Sequence, residues 1–104
     1  MSKHSKTLYQ SLVGELFRID FDDGQSVHLH LKALKDNSHL DDAQTEHFNL
    51  LFTGPKDQGL MQATYPMQHA ALGVAHIFIV PVGFENNQFL YEAVFSRRKA
   101  TMPA

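Results

Sequence analysis

The chain has 104 residues and neither cysteine nor tryptophan. Without cysteine there is no disulfide framework and no thiolate zinc site. Long apolar runs are missing as well. The longest, "IFIVPVGF" at 77–84, is far short of the roughly 20 residues that a membrane-spanning helix needs. The opening stretch "MSKHSKTLYQSLVGE" is basic but contains no continuous apolar segment of secretory-leader length. A cytoplasmic protein with no membrane partner is therefore expected. A basic excess is lacking too, since nine Lys and Arg face eleven Asp and Glu, for a net charge of −2. Nucleic acid is not an expected partner, because binding it requires a concentrated positive field. The one basic cluster, "RRK" at 97–99, reads as a solvated tail. The six glycines stand singly, so neither a P-loop nor a dinucleotide fingerprint is present. No G-x-S-x-G elbow occurs either.

What the chain does have is apolar periodicity and histidine. Its length suits one domain, 1–104, with a core large enough to fold unaided. Leu8 with Leu12 and Tyr9 with Val13 form one apolar stripe, so residues 5–13 are expected to be a short helix. Ser5 or Thr7 can cap it and Gly14 can end it. From Gly14 the period becomes two. Phe17, Ile19 and Phe21 alternate with polar residues, and Asp23-Gly24 signals a hairpin. On the return strand Val27, Leu29, Leu31 and Ala33 are grouped on one face, with His28, His30 and Lys32 on the other.

Residues 35–46 read as a polar connection, followed by a strand carrying Phe48, Leu50 and Phe52. Pro66 demotes the next strand to an edge or a bulged position. Two further strands, near 77–82 and 89–95, are apolar on both faces and meet at an Asn86-Asn87 turn. The expected fold is all-β and mainly antiparallel. It is a small β-sandwich or partly open barrel of about six strands at 15–96, with one short N-terminal helix and a tail at 97–104. The doubly apolar strands need cover on their second face, either from the helix or from a second copy of the chain.

The histidines carry the sharpest chemical question. His28 and His30, two apart on a strand, point the same way and can share an ion. A catalytic metal site needs a third protein ligand. Cupin-type barrels supply a glutamate within a few residues, but here the chain continues with lysine, leucine and alanine. The pair therefore reads first as the wet face of a hairpin strand. It becomes a metal site only if His39, His47, His69 or His76 converges on it. Seven histidines also reverse the sign of the net charge when all are protonated. Glu92, in register with Leu90 and Val94, is expected to be partly buried and paired with a lysine or arginine.

Several stretches, taken in order, resemble a bacterial family of small β-rich domains of unknown function. They are "LVGELF" (12–17), "FNLLFTGP" (48–55), "QATYPMQHAALG" (62–73), "FIVPVG" (78–83) and "YEAVF" (91–95). The resemblance carries a loose association with phage-tail-collar-like proteins and implies no catalytic residues and no cofactor. Within these stretches Gln62, Tyr65 and His69 are the candidate interaction residues. Tyr65 and His69 flank Pro66, and either anchor the adjoining turn or contact a partner. The leading expectation is a non-enzymatic interaction or assembly module that binds a protein or forms a homodimer. The alternative is a small metal-binding barrel or metal-dependent enzyme using His28 and His30. A third option, a ligand held in an aromatic-lined interior, requires a cavity of about 300 Å³ or more.

Overall fold

The computed structural model describes residues 6–42 and 45–98. A short helix, α1 (Lys6–Ser11), precedes six strands: β1 (Leu16–Asp20), β2 (Ser26–Asp36), β3 (Thr45–Pro55), β4 (Ala63–His69), β5 (Gly73–Glu85) and β6 (Gln88–Arg98). The strands close on themselves in the order β1-β2-β3-β6-β5-β4, all antiparallel. Ser5, a proposed helix cap, lies outside the described residues, as does 99–104. Arg97 and Arg98 belong to β6 and pair with Glu46 and Thr45, so the strand replaces the start of the expected tail.

Two long strands make the closure possible. The first half of β2 pairs with β1 and its second half with β3. The first half of β5 pairs with β4 and its second half with β6. Each thus changes partner along its length within the one closed sheet, and each is bulged close to that point, between Leu31 and Ala33 and between Pro81 and Gly83. An extra residue bends a strand and sharpens its twist, which helps a single sheet curl until it closes. The β2 bulge also inverts the side-chain alternation. Leu34 pairs with the buried Leu50, and Ala33 pairs with Leu51 on the outside. The grouping of Ala33 with Leu31 is corrected accordingly. The polar connection is shorter than expected, because β2 runs on to Asp36 and β3 starts at Thr45, with a single 3-10 turn at Ser38–Leu40 between them.

The turns follow their residues. Asp22 to Gly24 form a three-residue loop in which Gly24 takes a positive φ of 86° and Asp23 Oδ1 accepts the Gln25 amide. Asn86 and Asn87 both sit at positive φ, 53° and 61°, in a two-residue hairpin turn whose twist matches its strands. Pro66 has a partner on the β5 side, His76, and none on the β1 side, where the ladder consists of Arg18–Gln68 and Ile19–Met67.

Phe17, Ile19, Leu29, Leu31, Phe48, Leu50, Phe52, Met67, Ile79 and Tyr91 fill the interior and are wholly buried. Each such side chain contributes about 1.5–3 kcal/mol by leaving water. The filling is tight. A Cβ on Gly54 would lie 2.7 Å from Leu29 Cδ2 and 3.0 Å from Tyr91 Cε2. α1 closes one end of the barrel. Its Tyr9 packs against Phe48 and Phe95, with centroids 6.0 and 5.4 Å away, and those two rings stack at 4.7 Å. Lys6 reaches Asp36 at 3.2 Å and, chiefly through that hydrogen bond, holds its carboxyl below the ordinary value.

Candidate functional site

Both histidines of the pair lie on the outer side of β2. His28 stands opposite Arg18, a cation and no metal ligand. His30 Nε2–H donates to the Gly14 carbonyl at 3.1 Å, which ties the strand to the residue ending the helix segment. Among the described residues no three His, Asp or Glu side chains gather where one ion could be held. His39, His47, His69 and His76 are spread over the 3-10 turn, β3, β4 and β5. The structure thus gives the pair no third ligand among these residues.

Tyr65 and His69 both act as anchors. The Tyr65 hydroxyl donates to the Met61 carbonyl at 2.7 Å, holding the loop that precedes β4. His69 Nδ1 accepts the Ala71 amide at 2.9 Å, while Nε2 meets Glu15 Oε1 at 2.6 Å. Because Nδ1 accepts, these two bonds suit the neutral tautomer with its proton on Nε2. The ring also packs against Phe17 at 5.1 Å. His69 therefore fastens the β4–β5 turn to the residue before β1. Gln62 is exposed at the bend leading into β4. Glu92 is half-buried, and Asn49 Nδ2 donates to it at 3.3 Å. Among the described residues it has no ion-pair partner, so the expected lysine or arginine is replaced by an amide.

Beside His69, a polar chain crosses from β1 to β4. Arg18 Nη2 donates to Gln68 Oε1 at 2.7 Å, Gln68 Nε2 donates to Asp20 Oδ2 at 2.8 Å, and Arg18 Nε lies 3.1 Å from Asp20 Oδ1. Sequence reading missed this link. Its signal was the R-x-D spacing on β1, which sets both charges on one face of a strand.

The second faces of β5 and β6 are not covered by the helix, whose aromatic contacts lie on the inner side. Phe78 is 49% exposed, Val94 69% and Val74 50%. Phe78 and Val94 flank Val80–Glu92, the pair at which the β5–β6 ladder stops. Phe78 and Val94 thus make a small exposed apolar spot beside the half-buried Val80, while Val74 stands beyond the exposed His76 and opposite Gln68. Among the described residues, buried side chains occupy the barrel interior, where an added Cβ at Gly54 would clash with Leu29. Among the surface clefts of the described residues are two of about 350 and 380 Å³. One lies beside Arg18, Gln68 and His69 and the other beneath the β3–β4 loop. The second was legible only in that loop's composition, "KDQGLMQ", which sets Leu60 and Met61 together in a connection.

The family model of a domain of unknown function (DUF6916) matches residues 4–95. The chain belongs to that family. No curated protein and no solved structure matches it. The DUF6916 domain is thus a small antiparallel β-ring with one short helix. Among its described residues no helix is long and apolar enough to cross a membrane.

Proposed function

We propose that this domain is a non-enzymatic protein-interaction module that acts in the cytoplasm as a component of an assembly. The observation that carries this reading is the exposed apolar pair of Phe78 and Val94 on the outer face of β5 and β6, uncovered among the described residues. Neighbouring exposed apolar side chains offer a surface that another protein can cover. The anchoring roles of Tyr65 and His69, and the unassembled histidine pair, add no reacting centre to set against it.

In-cell photocrosslinking tests the reading directly. A photoreactive phenylalanine analogue at Phe78 is expected to give one discrete covalent adduct, while the same analogue at Lys35 gives none. An adduct of twice the chain mass identifies a second copy as the partner, and any other single mass identifies a different protein. Absence of an adduct from Phe78, with the protein folded and abundant, ends this reading.

A further inference from the structure

We propose that the cleft beneath the β3–β4 loop is a receptor for a lysine or arginine side chain presented by a protein partner. This inference rests on the interaction-module reading and names the chemistry of a partner at a second surface. The cleft, of about 380 Å³, lies at the end of the barrel away from α1. That volume is within the range of ordinary ligand sites. Its apolar lining comes from Phe21, Val27, Leu60, Met61 and Tyr65. Phe21 and Tyr65 meet edge to face, with centroids 6.3 Å apart at 80°.

The cleft is preformed. The Leu60 amide donates to Tyr91 Oη at 2.9 Å, and the Tyr65 hydroxyl donates to the Met61 carbonyl at 2.7 Å. Between barrel and loop there is no slack, because a Cβ on Gly59 would come within 3.1 Å of the Phe89 ring. A site whose loop is already tied down loses little entropy when it is filled.

Charge selects the occupant. Asp57 is the one charged residue in the lining. The turn adjoining Phe21 adds Asp22 and Asp23, and Lys56 is the neighbouring cation, outside the lining. An anion would find no cation there. A neutral apolar group would fill the cleft but leave the exposed Asp57 paired only with water. A cation on an aliphatic stem satisfies both features, with its stem along Val27 and Leu60 and its charge between Asp57 and the aromatic rings. Met61, 80% exposed at the rim, offers an adaptable apolar contact for the residue next to that lysine or arginine. This favours a protein segment over a free amine.

The test is an amide-resolved NMR titration of the full chain with three probes. They are acetyl-Leu-Lys-Leu-amide, the same peptide with Nε-acetyllysine, and n-butylammonium chloride. The lysine peptide is expected to give saturable shifts at Phe21, Gly59 and Tyr65 that weaken with added salt. Acetylating the lysine, or the substitution Asp57→Asn, is expected to weaken binding about fivefold. n-Butylammonium is expected to bind more weakly than the peptide. Three results would overturn the proposal: no saturable shifts at these amides, equal binding of the acetylated peptide, or n-butylammonium binding as tightly as the peptide. The last moves the source from a protein to a free amine. Because the photocrosslink reports on the outer face of β5 and β6, either result can fail while the other stands.

Discussion

The barrel is closed in two different ways on its two sides. Along β3 and β6 the ladder is continuous from Thr45–Arg98 to Pro55–Gln88, and large buried rings line its inner face. Between β1 and β4 it shrinks to Arg18–Gln68 and Ile19–Met67. Side chains hold much of that seam instead, through Arg18, Asp20 and Gln68 on the outside and Glu15 with His69 at the end. The difference teaches where stability and where local opening should reside. A long backbone ladder over packed aromatics is lost only when the whole domain unfolds. A two-pair seam fastened by exposed polar groups can open locally.

The largest break in the comparison is expected at the wall. Phe52 is fully buried, stands opposite Tyr91 and meets Phe17 edge to face at 5.5 Å. Phe52→Ala is expected to cost about 3–5 kcal/mol, from lost burial plus a cavity that the tight interior cannot collapse. Urea unfolding measures this. A loss below about 1 kcal/mol would mean that the wall carries no more weight than the surface.

Tyr91 sharpens the comparison from within the wall. It lies inside the barrel, yet its hydroxyl accepts the Leu60 amide. Burial first of all, with Tyr65 nearby, pushes its pKa above the ordinary 10.0, although the Leu60 bond opposes the shift. A raised folded value means that the folded state keeps the proton longer than the unfolded one. Its contribution is complete below about pH 10 and disappears as pH rises through the folded value. Tyr91→Phe is expected to cost about 1–2 kcal/mol at neutral pH by stranding the Leu60 amide. It is also expected to flatten the loss of stability above pH 10. An unchanged alkaline slope in the variant would show that another group causes it.

Much of this architecture was legible in the sequence. Period-two alternation located the strands, and Asp23-Gly24 and Asn86-Asn87 located two hairpin turns, because these features act within a few residues of themselves. The bulge after Leu31 was not legible, since "HLHLKAL" alternates without a break and only pairing with β3 inserts the extra residue. The helix was placed correctly along the chain but not in space. Its apolar stripe says that it packs, whereas the match of Tyr9 to Phe48 and Phe95 says where. The candidate histidines illustrate the same limit. H-x-H puts two rings on one side of a strand, but only the closure of the barrel shows what stands beside them. His69 was singled out by its position near Pro66, and its partner Glu15 lies far away in sequence.

The smallest expected effect tests the seam itself. Gln68 accepts from Arg18 and donates to Asp20, so Gln68→Ala removes both cross-strand links at once. The groups are exposed and can turn to water, so the global loss is expected to be only about 0.5–1 kcal/mol. Amide hydrogen exchange should reveal more than unfolding does. The odd residues of β1 bond to β2, so the amides that cross the seam are those of Arg18 and residue 68. Their exchange is expected to accelerate severalfold, while Leu50 and Ala93 in the wall exchange at rates set by global stability alone. Equal acceleration at all four would mean that the seam opens only when the wall does, and the contrast between the two sides would be one of geometry and not of stability. Acceleration confined to Arg18 and residue 68 would instead make the β1–β4 seam the first part of the barrel to part. Among the described residues, the pair Glu15–His69 would then be a remaining polar link holding β4 and its turn against the start of β1, beside the ring contacts Phe17–His69 and Phe21–Tyr65.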